Sequence, residues 1–117
     1  LAGQSTTSAV NNTLVGNNAG KLITTSFSNT AIGNVALSSC TTGTGVNTAI
    51  GNNSMSTLTT GTRNTALGAS ALVSLDTGTN NIAIGYQSAS SLTSTESSNI
   101  IIGNIGVLAG ELLCFSV

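Results

Sequence analysis

Repetition is the feature that most constrains this chain. One five-residue phrase occurs six times: Asn12-Thr-Leu-Val-Gly16, Asn29-Thr-Ala-Ile-Gly33, Asn47-Thr-Ala-Ile-Gly51, Asn64-Thr-Ala-Leu-Gly68, Asn81-Ile-Ala-Ile-Gly85 and Asn99-Ile-Ile-Ile-Gly103. The closing glycines stand 17 or 18 residues apart along 117 residues. So short a fixed period means stacked units, because one unit cannot bury its own apolar side and must lay it on the next.

Alignment on the glycines sorts the remaining residues into columns. Three positions on, every residue is small: Ala19, Ala36, Ser54, Ala71, Ser88 and Gly106. Four on stand Gly20, Leu37, Met55, Leu72, Ala89 and Val107, and seven on Ile23, Cys40, Leu58, Leu75 and Leu92. Within the phrase, strand alternation puts positions two and four on one face. Position four (Val15, Ile32, Ile50, Leu67, Ile84, Ile102) reads as the inward, core column, joined by the column seven residues past the glycine. The phrase is then a strand of about four residues ended by a glycine free to turn. A second short strand is expected around Ile23 and its equivalents, with a Thr59-Thr-Gly-Thr62 type return. Helix is disfavoured by the β-branched residues, Asn and Gly, and by the lack of a 3.6-residue apolar stripe.

The expected fold is all-β, a parallel β-solenoid (β-roll) of about six 17–18-residue coils over residues 12–110, between a lead-in segment (1–11) and a non-repeat tail (111–117). Strands ~4.8 Å apart make a rod roughly 25–30 Å long. Stacking aligns Asn12, Asn29, Asn47, Asn64, Asn81 and Asn99 into an amide ladder, each side chain able to donate to the next one up. Gly16, Gly33, Gly51, Gly68, Gly85 and Gly103 form a parallel structural column. The core is thin, about one large aliphatic residue per strand, which favours completion by a symmetric homo-oligomer. Exposed terminal coils also offer a route to end-to-end self-association.

Composition removes several function classes. Only Lys21, Arg63, Asp76, Glu96 and Glu111 are charged, and His, Pro and Trp are absent. Two basic residues make no footprint for nucleic acid or for an anionic membrane surface. No apolar run reaches the ~20 residues of a membrane span. The chain begins at Leu1, which suggests a piece of something longer. Cys40 and Cys114 lie four coils apart, too far for the ~7 Å Cα separation of a disulfide, so both are expected as free, buried thiols. No C-x-x-C or histidine completes a metal site.

These columns closely resemble the head repeats of trimeric autotransporter adhesins, the YadA-like left-handed parallel β-roll, whose phrase has the form N-x-V-A-I-G followed by a small residue. Asn29-Thr-Ala-Ile-Gly33-Asn-Val-Ala-Leu37 and Asn47-Thr-Ala-Ile-Gly51-Asn-Asn-Ser-Met55 carry the likeness. The return Leu58-Thr-Thr-Gly-Thr-Arg-Asn64 is similar to a variant of phage and other virion fibres and of large bacterial surface proteins. The resemblance implies a side-by-side homotrimer, an extracellular place on a cell or virion surface, and attachment to a host receptor or surface glycan. Departures are the longer coils and the tail from Glu111 to Val117. Asn99-Ile-Ile-Ile-Gly103-Asn-Ile-Gly106 resembles a closing coil, and the tail either starts a further domain or plugs the open end.

Sharper readings of single residues find less support. Asp76 and Glu96 occupy different columns, so no pair of carboxylates converges for glycosidase chemistry, and solvated turns explain them. One aspartate cannot furnish the Gly-Gly-x-Gly-x-Asp repeats of calcium-binding rolls. Gly43-Thr-Gly45 lacks the strand–helix context of a phosphate loop. Thr42-Gly-Thr44, Thr60-Gly-Thr62 and Thr77-Gly-Thr79 raise ice binding, but glycine between threonines suits a turn better than a flat strand. Tyr86 stands alone, and the sequons at Asn11 and Asn52 are chance-level matches in so Asn/Thr-rich a chain. The expectation is a non-enzymatic structural and adhesive module with no catalytic residue, metal or cofactor.

Overall fold

The computed structural model describes residues 1–43, 45–103 and the strand 113–116. Among the described residues seven strands form one sheet in chain order: β1 (Thr13–Val15), β2 (Thr30–Ile32), β3 (Thr48–Ile50), β4 (Thr65–Leu67), β5 (Ile82–Ile84), β6 (Asn99–Ile102) and β7 (Leu113–Ser116). The first six pair in parallel with matching phrase positions opposite one another: Ile32 lies against Ile50, Ile50 against Leu67 and Ile84 against Ile102. The chain is a β-solenoid of about five turns. Every coil joint repeats the same pair of bonds. Thr48 N–H donates to the Asn64 carbonyl and Gly68 N–H to the Ile50 carbonyl, both at 2.8 Å.

The parity of the strand is opposite to the expected one. Positions one and three face inward, while two and four face outward. Ala31, Ala49, Ala66 and Ala83 are fully buried, whereas Val15 is 55% and Ile102 51% exposed. Ile32 and Leu67 are also exposed, and Ile50 and Ile84 half-buried, so none of the six belongs to the core of the single chain. The reason is volume. Leu37, Met55 and Leu72 enter from the turn four residues past the glycine, and Ile23, Cys40, Leu58 and Leu75 from the far wall. Between these walls β2 to β5 each place an alanine at position three, while β6 buries Ile101 there and β1 packs Leu14 against Gly20. Leu92, at the end of the far-wall column, is partly buried against the same core.

The far wall is not a second strand. Ile23 and its equivalents sit between turns and bends, and no strand pairing is found there. Two columns of left-handed residues account for this. The residue two past each glycine has φ near +58° (Asn18, Val35, Asn53, Ser70, Gln87), and the residue four past it has φ between +47° and +56° (Leu37, Met55, Leu72, Ala89). Such a conformation costs an L-residue about 1–2 kcal/mol and is an outlier for β-branched Val35. Here it turns successive N–H groups in opposite directions. Asn53 N–H donates down to the Asn34 carbonyl at 2.8 Å, and Met55 N–H donates up to the Ala71 carbonyl at 3.0 Å. Each strained turn is thereby bonded to both neighbours.

The glycine closing each phrase has φ between +123° and +140°. A methyl group at Gly33, Gly51 or Gly68 would run into the carbonyl of the glycine one coil on, so chain direction and coil spacing both require glycine there.

The stack extends beyond 12–110 at its start. Gly3 N–H donates to Ala19, Ser5 to Lys21 and Thr7 to Thr24, so the lead-in lies beneath the first turn as a partial coil. At the other end β7 runs antiparallel to β6, with Ile102 opposite Leu113 and Asn99 opposite Ser116. The molecule is elongated, measuring 44 × 23 × 18 Å. Thr44, Gly106, Val107, Glu111 and the side chain of Cys114 lie outside the described residues.

Volume complementarity inside the coil is testable in the first turn. Where position three is Leu14 and not alanine, the facing position is Gly20, and a methyl added there would sit 2.7 Å from a Leu14 methyl. Gly20→Leu should therefore destabilise the chain by about 1–3 kcal/mol through overpacking. Adding Leu14→Ala, which recreates the Ala31/Leu37 pairing, should restore most of that loss in urea unfolding.

Candidate interaction surface

Two sets of side chains run the length of the stack: the inward asparagines and the outward aliphatics. Asn29, Asn47, Asn64 and Asn81 are buried. Each accepts from the following coil and donates to the preceding one, the reverse of the direction expected from sequence. Asn64 Oδ1 receives the Asn81 backbone N–H at 3.0 Å and Asn81 Nδ2 at 3.1 Å. Asn64 Nδ2 donates to Asn47 Oδ1 at 3.3 Å and across the coil to the Gly78 carbonyl at 2.8 Å. One amide thus joins strand to return loop within a coil and coil to coil. Asn12 and Asn99 end the ladder in half-buried positions. Among the described residues no buried side-chain nitrogen or oxygen lacks a partner, so the ladder has no unmet polar group with which to hold a ligand.

The ladder also explains the parity, since positions one and three of a strand share a face. Burying asparagine buries alanine and turns position four outward. The resulting face is a six-strand array carrying Thr30, Thr48 and Thr65 in one column, continued by Ile82 and Ile100, and Val15, Ile32, Ile50, Leu67, Ile84 and Ile102 in the other. Val10, Phe27 and Val46 are exposed on the corner before it. Sequence reasoning assigned the aliphatic column to the core. Residue type does not separate the two faces, since position three is alanine in four of six phrases and position four is isoleucine in four of six.

Other singled-out residues are dispersed. Tyr86 is exposed one residue past its glycine, where Asn17, Asn34 and Asn52 form a surface amide run with Nδ2 to Oδ1 distances of 3.3 and 3.4 Å. Asn11 and Asn52 are both exposed. Thr42, Thr60, Thr62, Thr77 and Thr79 lie outside any strand. Asp76 accepts from the Thr59 hydroxyl of the preceding coil, and Arg63 Nε donates to Asn80 Oδ1 at 2.8 Å. The exposed Glu96 receives the Ser94 N–H at 2.8 Å, which holds its carboxyl below the usual glutamate range, so this turn contact is present at neutral pH and lost on acidification. Among the described residues no three His, Cys, Asp or Glu side chains gather, and no helix is long and apolar enough to cross a membrane.

Cys40 is a free thiol, fully buried, with Sγ 3.6 Å from Ser26 Oγ. Burial raises its pKa, outweighing the serine contact, and keeps it the neutral thiol in the far-wall column. Comparison with family models, curated proteins and solved structures finds no match, so the likeness to adhesin head repeats stands on the repeat columns themselves.

Three outcomes are expected. Asn64→Leu leaves the Asn81 N–H and the Gly78 carbonyl unpartnered in the interior and should cost roughly 2–5 kcal/mol, at about 1–3 kcal/mol per orphaned group. Asn64→Asp places a carboxylate 3.3 Å from the Asn47 oxygen or 2.8 Å from the Gly78 carbonyl, so its folded pKa is raised and its protonated form favoured. Thermal melts of that variant should be highest below about pH 4 and fall as pH rises toward 7, whereas the unsubstituted chain should not gain stability on acidification. Peptide-mapped alkylation at neutral pH should leave Cys40 unmodified until the chain is unfolded.

Proposed function

We propose that this chain is a non-enzymatic structural segment of an extracellular fibre, in which three copies lie side by side and bury the outward faces of β1–β6 against one another. The observation that carries the reading is that face. A soluble single coil stack gains nothing by directing Val15, Ile32, Leu67 and Ile102 to water, and burying each such side chain is worth about 1.5–3 kcal/mol. Straight, in-register columns of β-branched residues mate well with copies of themselves, which is how stacked strands form dry contacts. The count of three, the extracellular setting and the task of presenting a surface to a host receptor or glycan come from the resemblance to adhesin and virion-fibre repeats. A coil stack bonded at every joint, with left-handed turns tied to both neighbours, suits a load-bearing and protease-resistant spacer.

Sedimentation equilibrium tests this directly. The full chain should sediment at three times its 11.4 kDa mass. Ile32→Lys with Leu67→Lys should weaken association by more than about a hundredfold while the far-ultraviolet β-signal is kept, since both side chains point outward. Ala49→Leu, directed into the filled coil, should instead destabilise the fold by about 1–3 kcal/mol. An unsubstituted chain that stays monomeric, or lysine variants that still assemble, would refute the reading.

A further inference from the structure

The sheet has two unlike edges, and only one is covered. In every coil, positions two and four direct their backbone groups to the next strand. Thr30 N–H donates to the Asn47 carbonyl and the Ile32 carbonyl accepts from Gly51 N–H, both at 2.8 Å. The equivalent residues of β6 are Ile100 and Ile102, which stand opposite Phe115 and Leu113 of β7. In an antiparallel pair, facing residues whose groups point at each other exchange both bonds. β7 therefore occupies the donors and acceptors that a seventh coil would use. At the other end β1 pairs with β2 alone among the described residues, and its outer edge carries the groups with which each later strand sits on the one before.

We infer that β7 is an end cap, and that the β6 edge beneath it is the surface on which β1 of a second copy would stack head to tail. The two edges match because they are the two sides of one repeating joint. Thr13, Leu14 and Val15 can take on β6 the register that Ile100, Ile101 and Ile102 take on β5. Unpaired strand edges template such pairing unless something closes them. β7 closes this one and offers no continuation, for three reasons. It runs antiparallel. Its Leu-Cys-Phe-Ser sequence has no asparagine to extend the ladder. It also has no glycine to make the positive-φ turn that ends each parallel strand. This inference stands apart from side-by-side assembly, which uses the strand face and not the strand edge.

The test is amide hydrogen exchange on the full chain together with the variant Leu113→Pro/Phe115→Pro, which removes the two N–H groups facing β6 without touching the repeat. In the unsubstituted chain the Ile100 and Ile102 amides should exchange at least about a hundredfold more slowly than free amides, and electron micrographs should show rods one module long. In the proline variant that protection should be lost at low concentration while the Gly51 and Gly68 amides keep theirs. Its rods should lengthen, without thickening, as concentration rises. Free exchange of Ile100 and Ile102 in the unsubstituted chain would overturn the cap. A variant with those amides exposed whose rods never lengthen would overturn the stacking surface.

Discussion

One buried amide per coil governs this structure. Asn12, Asn47, Asn64 and Asn81 each satisfy a backbone N–H in the coil above and a carbonyl across the return loop, so none can be moved outward without orphaning both. Fixing that side chain inside fixes the parity of a three-residue strand. The parity in turn decides which residues fill the coil and which meet the world. Alanine goes in because Leu37, Met55, Leu58 and Leu72 already occupy the interior. Position four goes out because it lies on the face opposite the asparagine, whereas an isoleucine at position three, Ile101, is buried. The aliphatic face on which assembly would depend is therefore a consequence of where a polar group is buried.

The same arrangement makes the coils interdependent. Left-handed residues recur in each turn and again before each ladder asparagine, where Val46 and Arg63 have φ of +59° and +57°. An isolated coil would bear these costs with nothing to offset them. In the stack the flipped N–H groups are spent on neighbours, as when Arg63 N–H donates to Gly45 and Val46 N–H to Phe27. Stability of this kind is a sum of joints and not of coils, which is the behaviour expected of quasi-one-dimensional repeats. The bonds between coils join residues 15 to 19 apart, short loops to close for an all-β chain.

Much of this was legible in the repeat. The period, the parallel register, the place of the six parallel strands and the identity of the ladder residues follow from columns that agree six times. Parity did not follow, because a period-two pattern such as Asn-Thr-Ala-Ile-Gly permits either face to be inward. Isoleucine was assigned inward on hydrophobicity, although the buried ladder required the opposite. The far wall was read as a strand from the apolar column of Ile23, Leu58 and Leu75. What defeats a strand there is backbone geometry: Leu72 and Met55 adopt φ of +51° and +47°, values that leucine and methionine give no hint of in sequence. Direction in the ladder and the stacking of residues 3–9 under the first turn needed coordinates, since neither residue type nor spacing encodes them.

The central claim is that the Asn29, Asn47, Asn64 and Asn81 amides form a sealed interior ladder while Asn17, Asn34 and Asn52 form one on the surface. Side-chain amide exchange, resolved residue by residue by nuclear magnetic resonance, separates the two sets whatever the state of assembly of the strand faces. Protons of the interior four should persist long after those of the surface three have been replaced by deuterium. Exchange of both sets at one rate would contradict the account.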